Sequence, residues 1–478
     1  MSQASIQLPA AAPVAAATAS RARDRRAPAS VARQGSEVLV EDVTLAPLWL
    51  DDAPAKPALS ERPPSQVDVV VVGAGYTGLN AAIEIARSGR SVVVLEKGAL
   101  DDGCSAKNGG QISTSVKPSR AALAKRFGDA RARAMRQEGV AALDWLEAFV
   151  TREGLDCDFH RSGRFFAAHS PEHYDALARA AEIQTREEGA EAVPVPRAEQ
   201  RSELGTDFYH GGVVYPRNAA LHPAKYHREL ARLAVASGVE IVAECPASGI
   251  ASSAAGFRVT TPFGAVEARD VVVATNGYTT ALTPWLRRRV IPIGSYVIAT
   301  EPLSPALVDT LFPTNRMVCD TRRVVYYYRL SPDRRRIVFG GRVAARETDP
   351  LASGPLLHAE MRRIFPELAQ ARISHSWLGF VAYTFDELAH IGAHEGVHYA
   401  MGYCGSGVSM ASYLGMRLGR RVLGREDGRT AFDDAPFQTR PGYRGDPWFL
   451  PAAVGWRRWR DRLDCRRAAR AATPIEPG

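Results

Sequence analysis

The sequence predicts an α/β protein of two domains, one of them organised around a parallel sheet that opens with a βαβ unit. Three observations carry this. The β-branched run Val67 to Val72 leads into a glycine-rich turn, a segment of helical period and a second apolar run, Ser91 to Leu95. That is a βαβ unit of about 30 residues. From about residue 290 to 345 the pattern turns to short β runs, Ser295–Thr300, Val324–Arg329 and Arg336–Gly340. Finally, 478 residues exceed what one hydrophobic core usually serves.

Taken in order, the chain starts with a leader over residues 1–36, rich in Ala and Arg and poor in acids, a composition that stays disordered by itself. Its apolar part precedes its Arg cluster, the reverse of a secretory signal. Order is expected from about Glu37, with a Pro-rich extended lead-in over 51–66. After the strand at 67–72, Leu79, Ile83 and Ile85 mark a helix from Tyr76 to Ser88, which Gly89 stops. Residues 119–205 read as mostly helical, interrupted around Gly163–Phe166. A helix over 223–237 and a strand at Val239–Val242 resume the α/β rhythm. A hairpin at Val259–Thr261 and Val266–Ala268 and a buried strand at Val271–Ala274 follow. Beyond the β region come a helix over 355–365, strands near 377–383 and 397–401, and a small-residue helix over 408–423. No internal repeat is present.

The formal charge of +8 suggests a nucleic-acid or membrane partner. Its distribution removes most of that suggestion. Residues 1–36 hold five Arg and one Asp, and residues 456–478 hold seven Arg against two Asp and one Glu, so the stretch between carries 48 basic and 48 acidic residues. No specific nucleic-acid partner is expected of a neutral body. The six cysteines are scattered, with neither a disulfide framework nor a zinc spacing. A reducing, cytoplasmic setting is therefore the expectation, with no metal. No run of 18 apolar residues exists to span a bilayer.

The chemistry is carried first by Gly73-Ala74-Gly75-Tyr76-Thr77-Gly78, a G-x-G-x-x-G between strand and helix. The first glycine permits the tight turn, the second lets backbone approach a pyrophosphate, and the third lets helix and strand pack closely. Glu96, 18 residues past Gly78 and ending the next strand, can accept hydrogen bonds from a ribose hydroxyl. A carboxylate there argues against a 2′-phosphate. A second glycine-rich stretch, Gly103-Cys-Ser105-Ala-Lys107-Asn108-Gly109-Gly110-Gln111, suits a loop that wraps phosphates. Val271–Tyr278 is a buried strand that runs out through Thr275-Asn276-Gly277. Gly405-Ser406-Gly407-Val408 opens a helix whose free N–H groups suit a developing negative charge.

These segments together resemble the D-amino-acid oxidase and glycine oxidase-like (DAO) family of FAD-dependent oxidoreductases, in its gamma-glutamylputrescine oxidase-like branch. The resemblance covers roughly residues 45–460 and includes Leu221-His222-Pro223, Tyr328-Arg329, Phe339-Gly-Gly-Arg342 and Thr384-Phe-Asp386. It implies an α/β FAD-binding domain, Rossmann-like and of the glutathione-reductase type, interleaved with an α+β substrate domain built on an antiparallel sheet. The FAD domain would take residues 37–118, 206–285 and 380–430, and the substrate domain 119–205 and 286–379. A C-terminal extension with a basic tail would take 431–478. Lys97 and Ala247 join the implied cofactor set. Cys104 and Lys107 stand where the family resemblance leads one to expect Ala and Arg. Some relatives attach flavin through a Cys before the Thr-x-Asp segment or a His in the first loop. Phe380–Tyr383 and Ala106-Lys107 offer neither, so FAD is expected to be non-covalent.

The implied activity is oxidation of a C–N bond in an amine or amino acid, with O2 or another acceptor taking the electrons. Arg329 resembles the position that anchors a substrate carboxylate, or else it is a sheet Arg in a local ion pair. His222 lines the cavity or caps the helix it precedes. Trp377, Tyr296 and Tyr383 are candidate aromatic walls, and Lys107 a point charge toward phosphate or flavin. The alternative is a flavoprotein that modifies nucleic acid or a membrane-associated dehydrogenase. The latter would use Trp448, Trp456 and Trp459 among the C-terminal Arg residues on an anionic surface. The expectation is instead that this helix packs its Trp face on the body.

Overall fold

The computed structural model describes residues 37–188 and 191–471, so the expected leader over 1–36 lies outside the described residues. The chain passes through β1 (Leu39–Thr44), β2 (Gln66–Val72), α1 (Tyr76–Ala86), β3 (Val92–Leu95), α2 (Arg120–Phe127), α3 (Asp129–Glu153) and β4 (Arg164–Ala167). It continues with α4 (Pro171–Glu188), β5 (Val193–Val195), β6 (Gly212–Tyr215), α5 (Pro223–Ala236), β7 (Val239–Val242), β8 (Gly264–Val273) and β9 (Val290–Thr300). Then follow β10 (Met317–Asp320), β11 (Tyr326–Leu330), β12 (Ile337–Gly341), α6 (Pro350–Ile364), β13 (Ile373–Thr384), β14 (Val397–Met401), α7 (Gly407–Val422) and α8 (Leu450–Ala471).

Two sheets organise these elements. In the first, β14, β8, β2, β3 and β7 lie side by side and every neighbouring pair is parallel. Parallel strands are covered on both faces, which is why Val69–Val72 and Val92–Leu95 can be apolar throughout. One face buries Val69, Val71, Val92 and Val94 with Leu79, Ile83, Leu230 and Leu414 of the surrounding helices. The other buries Val70, Val72, Val93 and Leu95 with Val259, Val266 and Met401. α7 lies directly on α1 because its contact residues are small. A Cβ on Gly415 would overlap the Thr77 backbone, and one on Gly419 would sit 2.7 Å from the Ala81 carbonyl oxygen.

The second sheet has nine strands in the order β1-β13-β9-β12-β11-β10-β4-β6-β5. It is antiparallel except where β1 meets β13 and β4 meets β10, which run parallel. The expected antiparallel sheet is therefore mixed, because strands from distant segments enter it by crossovers rather than hairpins. Its core is aromatic, with Tyr328 stacked on Phe339 at 5.3 Å and Phe312 against Phe365.

Several expected boundaries shift. α2 and α3, expected in the substrate domain, bury Leu123, Met135, Leu143, Leu146 and Phe149 in the core beneath the parallel sheet. Conversely, β1 and β6 join the nine-stranded sheet although their segments were expected in the FAD domain. An amphipathic stripe shows that a helix covers a core but not which one. The C-terminal helix also differs. Trp448, Trp456 and Trp459 are 75%, 57% and 50% exposed rather than packed on the body. α8 is seated by Leu450 and Val454 against Val324, and by Asp461, whose carboxylate accepts the backbone N–H groups of Arg323 and Val324 at 3.0 and 3.1 Å. Positions 450, 454 and 461 share a helix face, and that rotation turns 456 and 459 outward. Among the described residues no helix is long and apolar enough to cross a membrane.

A methyl on Gly78 would overlap the Gly73 carbonyl oxygen and press on Val71. Gly78→Ala should therefore cost about 3 kcal/mol of stability. The check is a thermal melt of the purified variant beside wild type; an unchanged Tm would contradict the assigned packing.

Candidate active site

The carboxyl ends of the parallel strands form a cradle. Gly73 has φ of +105°, and a Cβ there would lie 3.0 Å from the Ala274 carbonyl oxygen, so only glycine fits the turn. Ala74 is pinned on both sides. Its N–H donates to Glu96 Oε2 at 2.9 Å, and its carbonyl is 2.7 Å from His227 Nε2. His227 went unnoticed in the sequence because nothing local marks it. Glu96 closes the carboxyl end of β3, with Lys97 exposed beside it. The loop at 103–111 sits across the N-terminus of α1, where the Ser105 hydroxyl accepts the Tyr76 N–H at 3.0 Å. Asn108 holds the loop in shape, donating to Ser105 O at 2.9 Å while its own carbonyl oxygen accepts the Gly110 N–H at 2.8 Å. Gln111 donates to the Tyr328 carbonyl at 3.1 Å, tying the loop to the second sheet.

This cradle opens into a cavity of about 1650 Å³ lined by both sheets. Gly73, Gly75, Tyr76, Thr77, Glu96, Lys97, Ser105, Lys107, Asn108, Gly109 and Gln111 line it. So do Ala247, Thr275 and Asn276, and Gly405 to Val408 at the start of α7. Gly78, Gly110 and Gly277 do not; they are the close-approach positions, against Gly73, Leu221 and Phe380 backbone. The side chain of Asn276 accepts the Gly402 N–H at 2.9 Å and so joins β8 to the turn before α7.

Several cations on the wall are neutralised. Arg126 pairs with Asp386 at 3.0 Å, Arg322 with Asp320, and Arg342 with Glu347 at 2.8 Å. Lys117 and Arg164 also line the cavity, and neither has a carboxylate partner among the described residues. Lys117 Nζ donates to the Tyr383 hydroxyl at 3.0 Å, and Arg164 lies over the Phe166 ring at 5.4 Å. Burial raises the Cys319 thiol to about 11, while Arg164 and Lys117 both pull against that rise.

Three residues expected to contact substrate have their polar groups hydrogen-bonded within the protein. Arg329 is 4% exposed and lies outside the cavity wall. Its guanidinium donates to the carbonyls of Gly110 (3.1 Å), Leu221 (2.9 Å) and Leu330 (3.0 Å), and burial lowers its pKa to about 10. His222 caps α5: its Nδ1 accepts the Lys225 N–H at 3.1 Å, leaving Nε2 to donate to Asp52 at 2.8 Å. The Trp377 indole donates to the Lys107 carbonyl at 2.8 Å. Tyr296, a candidate wall, is buried in the second core with its hydroxyl on Glu347 at 2.7 Å. Arg329, Trp377 and Tyr296 lie on strands that reach the cavity but are not part of its lining, and neither His222 nor α5 lines it. Tyr383 does line the cavity.

Arg329→Met would remove three hydrogen bonds to buried carbonyls, although the Gly110 oxygen keeps the Leu221 N–H at 3.0 Å, a loss of about 3 kcal/mol. It should lower Tm and speed cofactor loss on dialysis, while the loaded fraction keeps its substrate KM within threefold. A large KM rise with unchanged Tm would restore the anchoring role.

The cradle fits a dinucleotide: backbone can approach at Gly73 and Gly75, Glu96 awaits a ribose, and a helix N-terminus faces the cavity. Known proteins agree. The family described as FAD dependent oxidoreductase (DAO) matches residues 68–421. The probable oxidoreductase OrdL of Haemophilus influenzae is 29% identical over 372 residues, 77% of this chain and 85% of that protein. The gamma-glutamylputrescine oxidoreductase of Escherichia coli is 29% identical over 379 residues, 79% of this chain and 88% of that protein. The crystal structure of glycine oxidase from Geobacillus kaustophilus shares the fold, with a TM-score of 0.66 and 21% identity over 79% of this chain and 99% of that one. With its dinucleotide cradle and a family match across most of its length, this chain belongs to the DAO family of FAD-dependent oxidoreductases.

Proposed function

We propose that the protein oxidises a C–N bond of a small amine or amino acid that also carries a carboxylate. The observation behind this is the pair Lys117 and Arg164, two cations on the cavity wall without an acidic partner. A fixed positive pair in a partly enclosed site favours an anionic group. Bound FAD supplies the two-electron acceptor for removal of hydride from the carbon beside nitrogen, and the resulting imine hydrolyses. The chain's own part is to bind, orient and dry the substrate. Lys117 and Arg164 hold the carboxylate, while Tyr327 and Tyr383 supply aromatic wall beside the amine. An amine at one end and a carboxylate at the other is the chemistry of a gamma-glutamyl amine. The relation to the Escherichia coli gamma-glutamylputrescine oxidoreductase supports that choice.

In this reading the cradle residues from Gly73 to Gly75, with Glu96, Ser105, Thr275 and the start of α7, hold FAD, and Lys107 adds a point charge. Attachment is non-covalent. Cys104, Cys319 and Cys404 line the cavity, but burial raises each thiol to about 11, so the thiolate needed for a bond to flavin is scarce. O2 or another acceptor then takes the electrons.

Anaerobic mixing with matched amines, with and without a carboxylate, tests this. The visible flavin band should bleach with the carboxylate-bearing compounds and recover with an acceptor. Acid precipitation should release the colour into the supernatant. Lys117→Met and Arg164→Met should raise KM for the acidic substrate at least tenfold, about 1.4 kcal/mol, and change the uncharged analogue by less than threefold. No bleaching by any amine defeats the reading.

A second reading, a membrane-associated dehydrogenase, is favoured by α8. There Trp456 and Trp459 are exposed and 5.0 Å apart among Arg457, Arg460 and Arg462. Such a surface suits anionic lipid headgroups. The full chain should sediment with phosphatidylserine-containing vesicles at low salt and not with phosphatidylcholine alone, and Trp456→Ser with Trp459→Ser should abolish this. Failure to bind the anionic vesicles removes the reading.

A further inference from the structure

Away from the cavity's interior, three side chains from distant parts of the chain converge. A ring nitrogen of His169, a ring nitrogen of His173 and a carboxylate oxygen of Asp464 all lie within 4.8 Å of one another. His169 precedes α4, His173 stands in its first turn, and Asp464 belongs to α8. The two imidazoles lie with centroids 4.2 Å apart.

Both rings are oriented in the same way. His169 Nδ1 is 2.7 Å from Thr321 Oγ1, which also accepts the His169 backbone N–H at 3.1 Å. His173 Nδ1 is 2.9 Å from Ser170 Oγ, which accepts the His173 backbone N–H at 3.3 Å. With Nδ1–H donated to a hydroxyl oxygen, Nε2 carries the lone pair, as in metal-binding histidines whose tautomer is set from behind. His169 Nε2 has no hydrogen-bond partner, on a side chain only 3% exposed. An orphaned buried imidazole nitrogen needs an explanation. Asp464 gives Oδ2 to Arg323 at 2.6 Å, and Arg323 is also held by Asp461 at 3.0 Å. The second Asp464 oxygen is left for a cation.

We propose that His169, His173 and Asp464 bind a divalent transition-metal ion, Zn²⁺ being the best match to two imidazoles and a carboxylate. Ligand atoms within 4.8 Å need to close to about 3.3 Å for a tetrahedral shell, with water in the remaining position. Half-buried His173 and Asp464 have the freedom to do so. The ion clamps α8 to α4. The other end of α8 contributes Leu450, Ala453 and Val454 to the cavity wall, so the clamp fixes that wall from outside. Thr321, which orients His169, lines the cavity as well.

The test uses full-length, FAD-loaded protein stripped with EDTA and titrated with ZnCl2 by calorimetry. One Zn²⁺ per chain is expected, with Tm rising with zinc concentration and slower tryptic cleavage at the Arg residues of α8. His173→Ala and Asp464→Asn should each weaken zinc binding at least tenfold, with an unchanged flavin spectrum showing that the variants are folded. Absence of a stoichiometric site in the wild type overturns the proposal, and so does an affinity that neither variant moves.

Discussion

The two sheets meet at the loop 103–111, whose backbone carbonyls are taken by side chains from outside it. The Trp49 indole donates to Asn108 O at 2.8 Å, Trp377 to Lys107 O at 2.8 Å and Arg329 to Gly110 O at 3.1 Å. Buried carbonyls have to be paired, and here the donors come from the segment after β1 and from β11 and β13. A loop at the mouth of the parallel sheet is thus shaped by the nine-stranded sheet. The interleaved path of the chain follows from this dependence, because neither sheet alone supplies both the cradle and the donors that hold its lip.

The same arrangement decides where charge is available. Arg126, Arg322 and Arg342 reach the cavity wall already matched to Asp386, Asp320 and Glu347. Arg329, buried without an ion pair, spends its donors on backbone carbonyls. The cations left for a ligand include Lys117 and Arg164, beside Lys97, Lys107 and Arg457, on a body whose basic and acidic residues are equal in number. The net charge of the chain therefore carries less information about its ligand than two unmatched side chains do.

Much of the fold was legible because it is local or periodic. The buried runs of β2, β3 and β8, the turn at Gly73–Gly78 and the helix at α7 all announce themselves over short stretches. Side-chain direction was less legible. Arg329, Trp377 and Tyr296 stand on strands that do border the cavity, yet alternation along a strand separates two faces without saying which one meets a ligand. In a sheet buried on both sides that ambiguity is complete. The helical stripes of α2 and α3 were equally silent about which core they cover.

The sequence alone determined the dinucleotide cradle, since the backbone freedom of Gly73, the close packing at Gly78 and the position of Glu96 lie within one βαβ unit. Tertiary structure alone decided that Arg329 staples a loop, that Lys117 and Arg164 face open space, and that His169 and His173 meet Asp464. Those outcomes depend on which charge or hydrogen-bond partner arrives from a distant segment. Pairing across such separations is set by how the sheets and helices pack, and no local pattern records it.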